Sequence, residues 1–178
     1  MIESIITSKT RIRLLLKFFL NCHTVSYLRE LETEFGESSN SIRIELNKLE
    51  SAGLLISATE GNKKMFYANA NHPLFDDIHN IIKKYVGIHQ IIEKITSQIE
   101  GLEAAYLTDD FATGNDSEIV SLILVGEGLN HKFIDILISK TELLISRKIK
   151  YDVLGHAEIV QSSFNKPILL IWPVVTDK

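Results

Sequence analysis

Apolar residues in the first third of the chain recur at the three- and four-residue steps of helices. In residues 8–20, Ile12, Leu15, Leu16 and Phe19 form a broad apolar face, and Thr7 or Ser8 is placed to cap it. After a break at 21–25, Ser26 with Arg29-Glu30 starts a second helix, which Gly36 ends. Residues 38–50 form a third. At about 100° per residue, Ile42, Leu46 and Leu49 share one side of it. Ser38 or Ser39 can cap its start through the hydroxyl, and Gly53 is the expected stop. Residues 54–56 and 65–68 then read as two short strands joined by the polar turn 60–64.

A different pattern follows. Leu74, Ile78, Ile81, Tyr85, Ile88, Ile92, Ile95 and Ile99 are separated by alternating steps of four and three. This is a heptad seam, and it predicts one helix over residues 72–100. Two copies of such a helix would pair, making these eight residues a dimerisation seam. The same seam also suits a helix packed within its own chain. Gly87 interrupts it, either kinking the helix or permitting close packing.

Beyond residue 100 the pattern changes again. Residues 102–107 read as a strand and 108–117 as a polar loop. The continuous apolar run 119–125 reads as a strand buried on both faces. An amphipathic helix at 130–148, a strand at 149–154, a short helix at 156–164 and an apolar end at 168–172 complete the chain. The expected class is α+β, with boundaries at 1–71, 72–100 and 101–178.

The outer side of the third helix carries Ser39, Asn40, Arg43, Ile44, Asn47 and Lys48. Arg and Asn have the shape for paired hydrogen bonds to guanine and adenine edges, and a helix of this size fits the major groove. Lys63 and Lys64 sit at the turn between the strands, where ammonium groups suit phosphates. An amphipathic helix with a solvated face would show the same pattern. The order helix, helix, turn, helix, strand, turn, strand, with Ser41-Ile42-Arg43-Ile44-Glu45-Leu46-Asn47-Lys48-Leu49-Glu50-Ser51-Ala52-Gly53-Leu54-Leu55 and Gly61-Asn62-Lys63-Lys64-Met65-Phe66-Tyr67, resembles winged helix-turn-helix transcription regulators of the arsenic-repressor and multidrug-resistance-repressor type. The resemblance covers roughly the first 70 residues and implies binding of double-stranded DNA by a homodimer.

The second half resembles the small nucleotidyltransferase fold. Ala105-Tyr106-Leu107, Phe111-Ala112-Thr113-Gly114-Asn115-Asp116 and Leu122-Ile123-Leu124-Val125-Gly126 carry this likeness. The connector 67–75, with Tyr85-Val86-Gly87-Ile88, looks like that of proteins fusing a winged helix to such a domain. The departures matter more. The family places a Gly-Ser pair where this chain has Asp109-Asp110. Its metal-binding carboxylates fall on Ile119 and Ser121. Anions facing a triphosphate with no metal pair between them repel it. Glu118 is one position off and points to the other sheet face, and Asp152 alone cannot replace the set. The resemblance therefore implies a degenerate, catalytically inactive domain that senses a small-molecule effector or contacts a partner. An active transferase with rearranged acids and a protein-binding winged helix are the competing readings.

Composition adds bounds. Residues 1–71 carry nine Lys/Arg and eight Asp/Glu, and residues 72–178 carry ten and fifteen, so only the first part is locally basic. A single cysteine, Cys22, excludes an internal disulfide and suits a reducing cytoplasm. No signal peptide is legible, and the run 14–20 is too short and interrupted to span a bilayer. His72, His79, His89, His131 and His156 have no cysteine or carboxylate at a metal-ligand spacing, so no metal or cofactor is expected. Asp109, Asp110, Asp116 and Glu118 match no calcium loop and read as a solvated acidic stretch.

Overall fold

The computed structural model describes residues 6–155, 157, 158 and 168–173. It is a mixed α+β structure with two sheets, divided into two compact units, Met1–Ile82 and Lys83–Lys178.

The first unit opens with α1 (Lys9–Phe19), whose Ser8 cap accepts the Arg11 amide at 3.2 Å. β1 (Ser26–Tyr27) precedes α2 (Leu28–Phe35), so the second helix starts two residues later than its sequence suggests. Ser26 and Tyr27 pair instead with Phe66 and Met65. Gly36, at φ 62, ends α2. In α3 (Ser39–Ser51) the Ser38 hydroxyl accepts the Ser41 amide at 3.3 Å. Its exit is a Schellman turn: Gly53 has φ 74, its amide bonds Glu50 O, and the Leu54 amide bonds Leu49 O. Ile42, Leu46 and Leu49 are buried, and α3 packs on both α1 and α2. β2 (Leu55–Glu60) and β3 (Lys63–Ala68) form an antiparallel hairpin closed by Gly61-Asn62. This hairpin is longer than expected, because pairing extends to Glu60 and Lys63. The sheet order is β1-β3-β2.

The single helix expected over 72–100 is corrected. The structure has α4 (Phe75–Val86), α5 (Ile88–Lys94) and a 3-10 turn at Thr96–Gln98. Gly87 separates the two helices at φ 94, a left-handed backbone that ends an α-helix. A Cβ on Gly87 would lie 2.6 Å from Ile145 Cγ2, so this glycine both turns the chain and admits a close neighbour. The heptad seam is correspondingly split. Ile88, Ile95 and Ile99 are core residues of the second unit, and Ile92 is half-buried. A dimerisation seam running to Ile99 is not available, because those side chains are already covered by their own chain. Leu74 and Ile81 remain more than half exposed, and Ile78 and Tyr85 are half-buried.

In the second unit, β4 (Ala104–Thr108) leads into α6 (Asp109–Thr113), a short helix inside the stretch expected to be loop. β5 (Ile119–Val125) follows, then α7 (His131–Ile145), β6 (Lys148–Leu154) and β7 (Leu169–Trp172). The sheet order is β6-β5-β4-β7. β5 and β6 are parallel and joined through α7, while β4 is antiparallel to both β5 and β7. Leu122 to Val125 are all buried, as an apolar run without alternation demands. The expected helix at 156–164 lies outside the described residues, apart from 157 and 158.

Candidate nucleic-acid interface

Packing Ile42, Leu46 and Leu49 inward fixes what α3 shows outward. Asn40, Arg43, Ile44, Asn47 and Lys48 are all exposed, and Ser39 is half-buried. An exposed isoleucine between Arg43 and Asn47 is 45% accessible, which gives this face an apolar contact point among its donors.

A groove of about 480 Å³ runs beside α3. Arg43, Asn47 and Leu46 line it from α3, Lys63, Lys64, Phe66 and Asn62 from the hairpin, and Tyr27, Leu28 and Arg29 from the start of α2. Four of these are cationic, and among the described residues none that lines the groove is a carboxylate, histidine or cysteine. The structure thus brings Arg43, Asn47, Lys63 and Lys64 together. Asn40, Ile44 and Ser39 lie on or beside the exposed face but do not line the groove. Lys48 is turned to the other side of α3. It borders an apolar cavity of about 380 Å³ with Arg11, Leu15, Leu49 and Ile78.

Arg29 and Tyr27 are groove residues that sequence reasoning missed. They arrive there because β1 pairs with β3, which places the start of α2 beside the hairpin. Asn62 was legible only as a turn residue.

Two carboxylates shape the charge around α3. Glu50 accepts the Lys64 ammonium at 2.7 Å and the Ser57 hydroxyl at 2.6 Å. The Lys64 hydrogen bond foremost, and then Ser57, hold the Glu50 carboxyl below its ordinary range. Glu45 is buried, which by itself raises its pKa. Hydrogen bonds and charge from Arg11, at 2.7 Å, and Lys48, at 3.0 Å, more than offset that and lower it. Lys64 and Lys48 are therefore partly neutralised. Among the described residues Lys63 makes no ion pair with an acid; its ammonium stands 4.1 Å from the centre of the Tyr27 ring. That contact stabilises by about 0.5–1 kcal/mol at an exposed site and holds the hairpin tip against β1. The groove can donate hydrogen bonds from a guanidinium and an amide to base edges, and place ammonium groups on phosphates.

The acids of the second unit are dispersed. Asp109 and Asp110 are exposed at the start of α6, and Asp109 has φ 54, a backbone that glycine adopts more freely. Asp116 accepts Arg147 at 2.9 Å and the Tyr85 hydroxyl at 2.9 Å. Arg147 also bonds Ser117 O and lies over the Tyr85 and Phe111 rings. Glu118 and Asp152 are exposed, and Ile119 and Ser121 are half-buried on β5. Among the described residues no three His, Cys, Asp or Glu side chains are grouped to hold a metal ion. No helix among them is long and apolar enough to cross a membrane. Comparison with family models, curated proteins and solved structures finds no match for the chain.

Proposed function

We propose that the chain is a cytoplasmic, DNA-binding transcriptional regulator acting as a dimer. In this reading the first unit is a winged helix-turn-helix, with α3 in the major groove and the β2–β3 hairpin as the wing on adjacent phosphates. One observation carries it: α3 presents Arg43 and Asn47 to a groove whose other charged residues are Arg29, Lys63 and Lys64, with no carboxylate lining it among the described residues. A solvated amphipathic face has no reason to gather four cations from three elements while Glu50, on the same helix, is tied to Lys64 and Ser57. The exposed Leu74 and Ile81 of the α4 region, with the half-buried Ile78 between them, support pairing of two copies there. Paired copies set two reading heads on successive half-sites.

The second unit is, in the same reading, a nucleotidyltransferase-like domain that has lost its chemistry and serves sensing or contact. Its support is the chemistry of the positions: Asp109-Asp110 at the phosphate turn, and Ile119 and Ser121 where metal carboxylates belong. Asp116, six residues beyond Asp110, is held by Arg147 and Tyr85.

The test is selection of bound fragments from genomic DNA, followed by fluorescence anisotropy on the enriched duplex across a salt series. Sequence-selective binding, weakening linearly in log salt, is the expected result. Equal, salt-insensitive affinity for enriched and scrambled duplexes would overturn the proposal.

A further inference from the structure

α7 carries apolar side chains in two directions. Ile134, Leu137 and Ile138 are buried in the second unit. A separate set is left open: Leu143 is 84% exposed, Leu144 60%, Ile136 52% and Phe133 40%. At about 100° per residue these four, with Lys140, fall in one arc of about 100°, and Lys132 borders it. A surface helix that needs only one apolar face has no use for the second.

Charge on α7 is sorted in the same way. Asp135 accepts the Tyr151 hydroxyl at 2.8 Å. Glu142 accepts the Ile149 amide at 2.8 Å and Lys148 at 3.0 Å. Both acids are thus tied to β6, away from the arc. Lys132 and Lys140 are exposed, and neither makes an ion pair among the described residues. Taking about 200 Å² for a large side chain, the arc leaves roughly 400 Å² of apolar surface open, as much as the largest patches on monomers. A partner in a standard interface contributes about 800 Å², of which somewhat over half is apolar, so the arc is of sufficient size.

A second copy is a poor occupant, because pairing two such arcs gathers four lysines with no acid between them. An anionic bilayer is also disfavoured, since an extended plane meets the charge of residues 72–178 at large, ten Lys/Arg against fifteen Asp/Glu, whereas a single helix meets only the arc and its two lysines. We propose that the outer arc of α7 docks an acidic amphipathic helix of a partner protein. Phe133, Ile136, Leu143 and Leu144 receive its apolar stripe, and Lys132 and Lys140 meet its carboxylates. This surface is independent of the α3 groove and stands whether or not the chain binds DNA.

The test uses the full chain and two synthetic helical peptides with one leucine stripe, flanked by glutamates in one and lysines in the other. Anisotropy should show the acidic peptide binding at least about ten-fold more tightly than the basic one. The Lys132→Glu/Lys140→Glu variant should reverse that preference. Leu143→Glu should abolish binding of the acidic peptide yet leave the melting temperature unchanged, since the side chain is already in water. Four results overturn the proposal: no preference for the acidic peptide, a preference the lysine variant keeps, a melting temperature that falls with Leu143→Glu because the chain's own residues cover the arc, or self-association or phosphatidylglycerol vesicle binding that Leu143→Glu removes.

Discussion

Replacing Gly87 by alanine separates two geometries of the middle segment by the sign of a free-energy change. In a straight helix over 72–100, alanine stabilises by about 1 kcal/mol relative to glycine. In the structure Gly87 has φ 94, and an L-residue there costs about 1–2 kcal/mol. The new Cβ would also sit 2.6 Å from Ile145 Cγ2 and 2.8 Å from its Cβ. Relieving such overpacking costs about 1–3 kcal/mol. The smaller entropy of the unfolded alanine chain offsets about 0.4–1 kcal/mol. The expected net effect is destabilisation of about 1–4.6 kcal/mol. Trp172, the only tryptophan, lies in β7 of the same unit, so urea unfolding followed by its fluorescence reads this unit directly. Ile145→Gly in the same background, which removes both the Cγ2 and the Cβ, takes away the collision but not the backbone strain. The cost of Gly87→Ala in that background should fall to about 0–1.6 kcal/mol, the backbone strain less the unfolded-chain offset. An unchanged or raised midpoint for Gly87→Ala would refute the reasoning and restore the continuous helix.

The remaining expectations concern α3 and its surroundings. Arg43→Ala should relax base preference at one position by about 1–3 kcal/mol, while Lys63→Ala weakens binding to every duplex and lowers the salt slope by about 1; anisotropy on single-base variants distinguishes the two. Glu50→Gln releases Lys64 from its 2.7 Å ion pair and should tighten duplex binding, steepening the log–log salt slope by up to about 0.9; weaker binding would show that Lys64 needs Glu50 to be positioned. Glu45 is held below its ordinary value of 4.5, so its stabilisation is present above that pH and lost as the pH falls through the folded value. Glu45→Gln should therefore be less stable at neutral pH and lose less on acidification below about pH 4.5, read as the urea midpoint by far-ultraviolet circular dichroism.

Much of the first unit was legible because its signals are local. The inward side of α3 follows from the spacing of Ile42, Leu46 and Leu49, and its ends from a serine hydroxyl and a left-handed glycine, all within one helix length. The groove was only half legible. Arg43 and Lys63 could be named from their own elements, but Arg29 and Tyr27 reach it through strand pairing across some forty residues, Ser26 with Phe66 and Tyr27 with Met65. A two-residue strand has no period to read. In the acidic stretch 109–116, composition named the carboxylates, whereas the pairing of Asp116 with Arg147 needed β5 and β6 side by side.

The heptad spacing shows the limit most clearly. Periodicity states which side of a helix avoids water and is silent about what covers that side. Local sequence determined the α+β class, the inward face of α3, the buried strand β5 and the residue types available to a groove. Tertiary structure decided that the seam breaks at Gly87, that Ile88 to Ile99 close the second unit's own core, and which cations meet beside α3. Helix periods and caps are set by neighbours within a few residues. Break points and sites are set by contacts such as Gly87 with Ile145, whose energy exists only after distant segments have met.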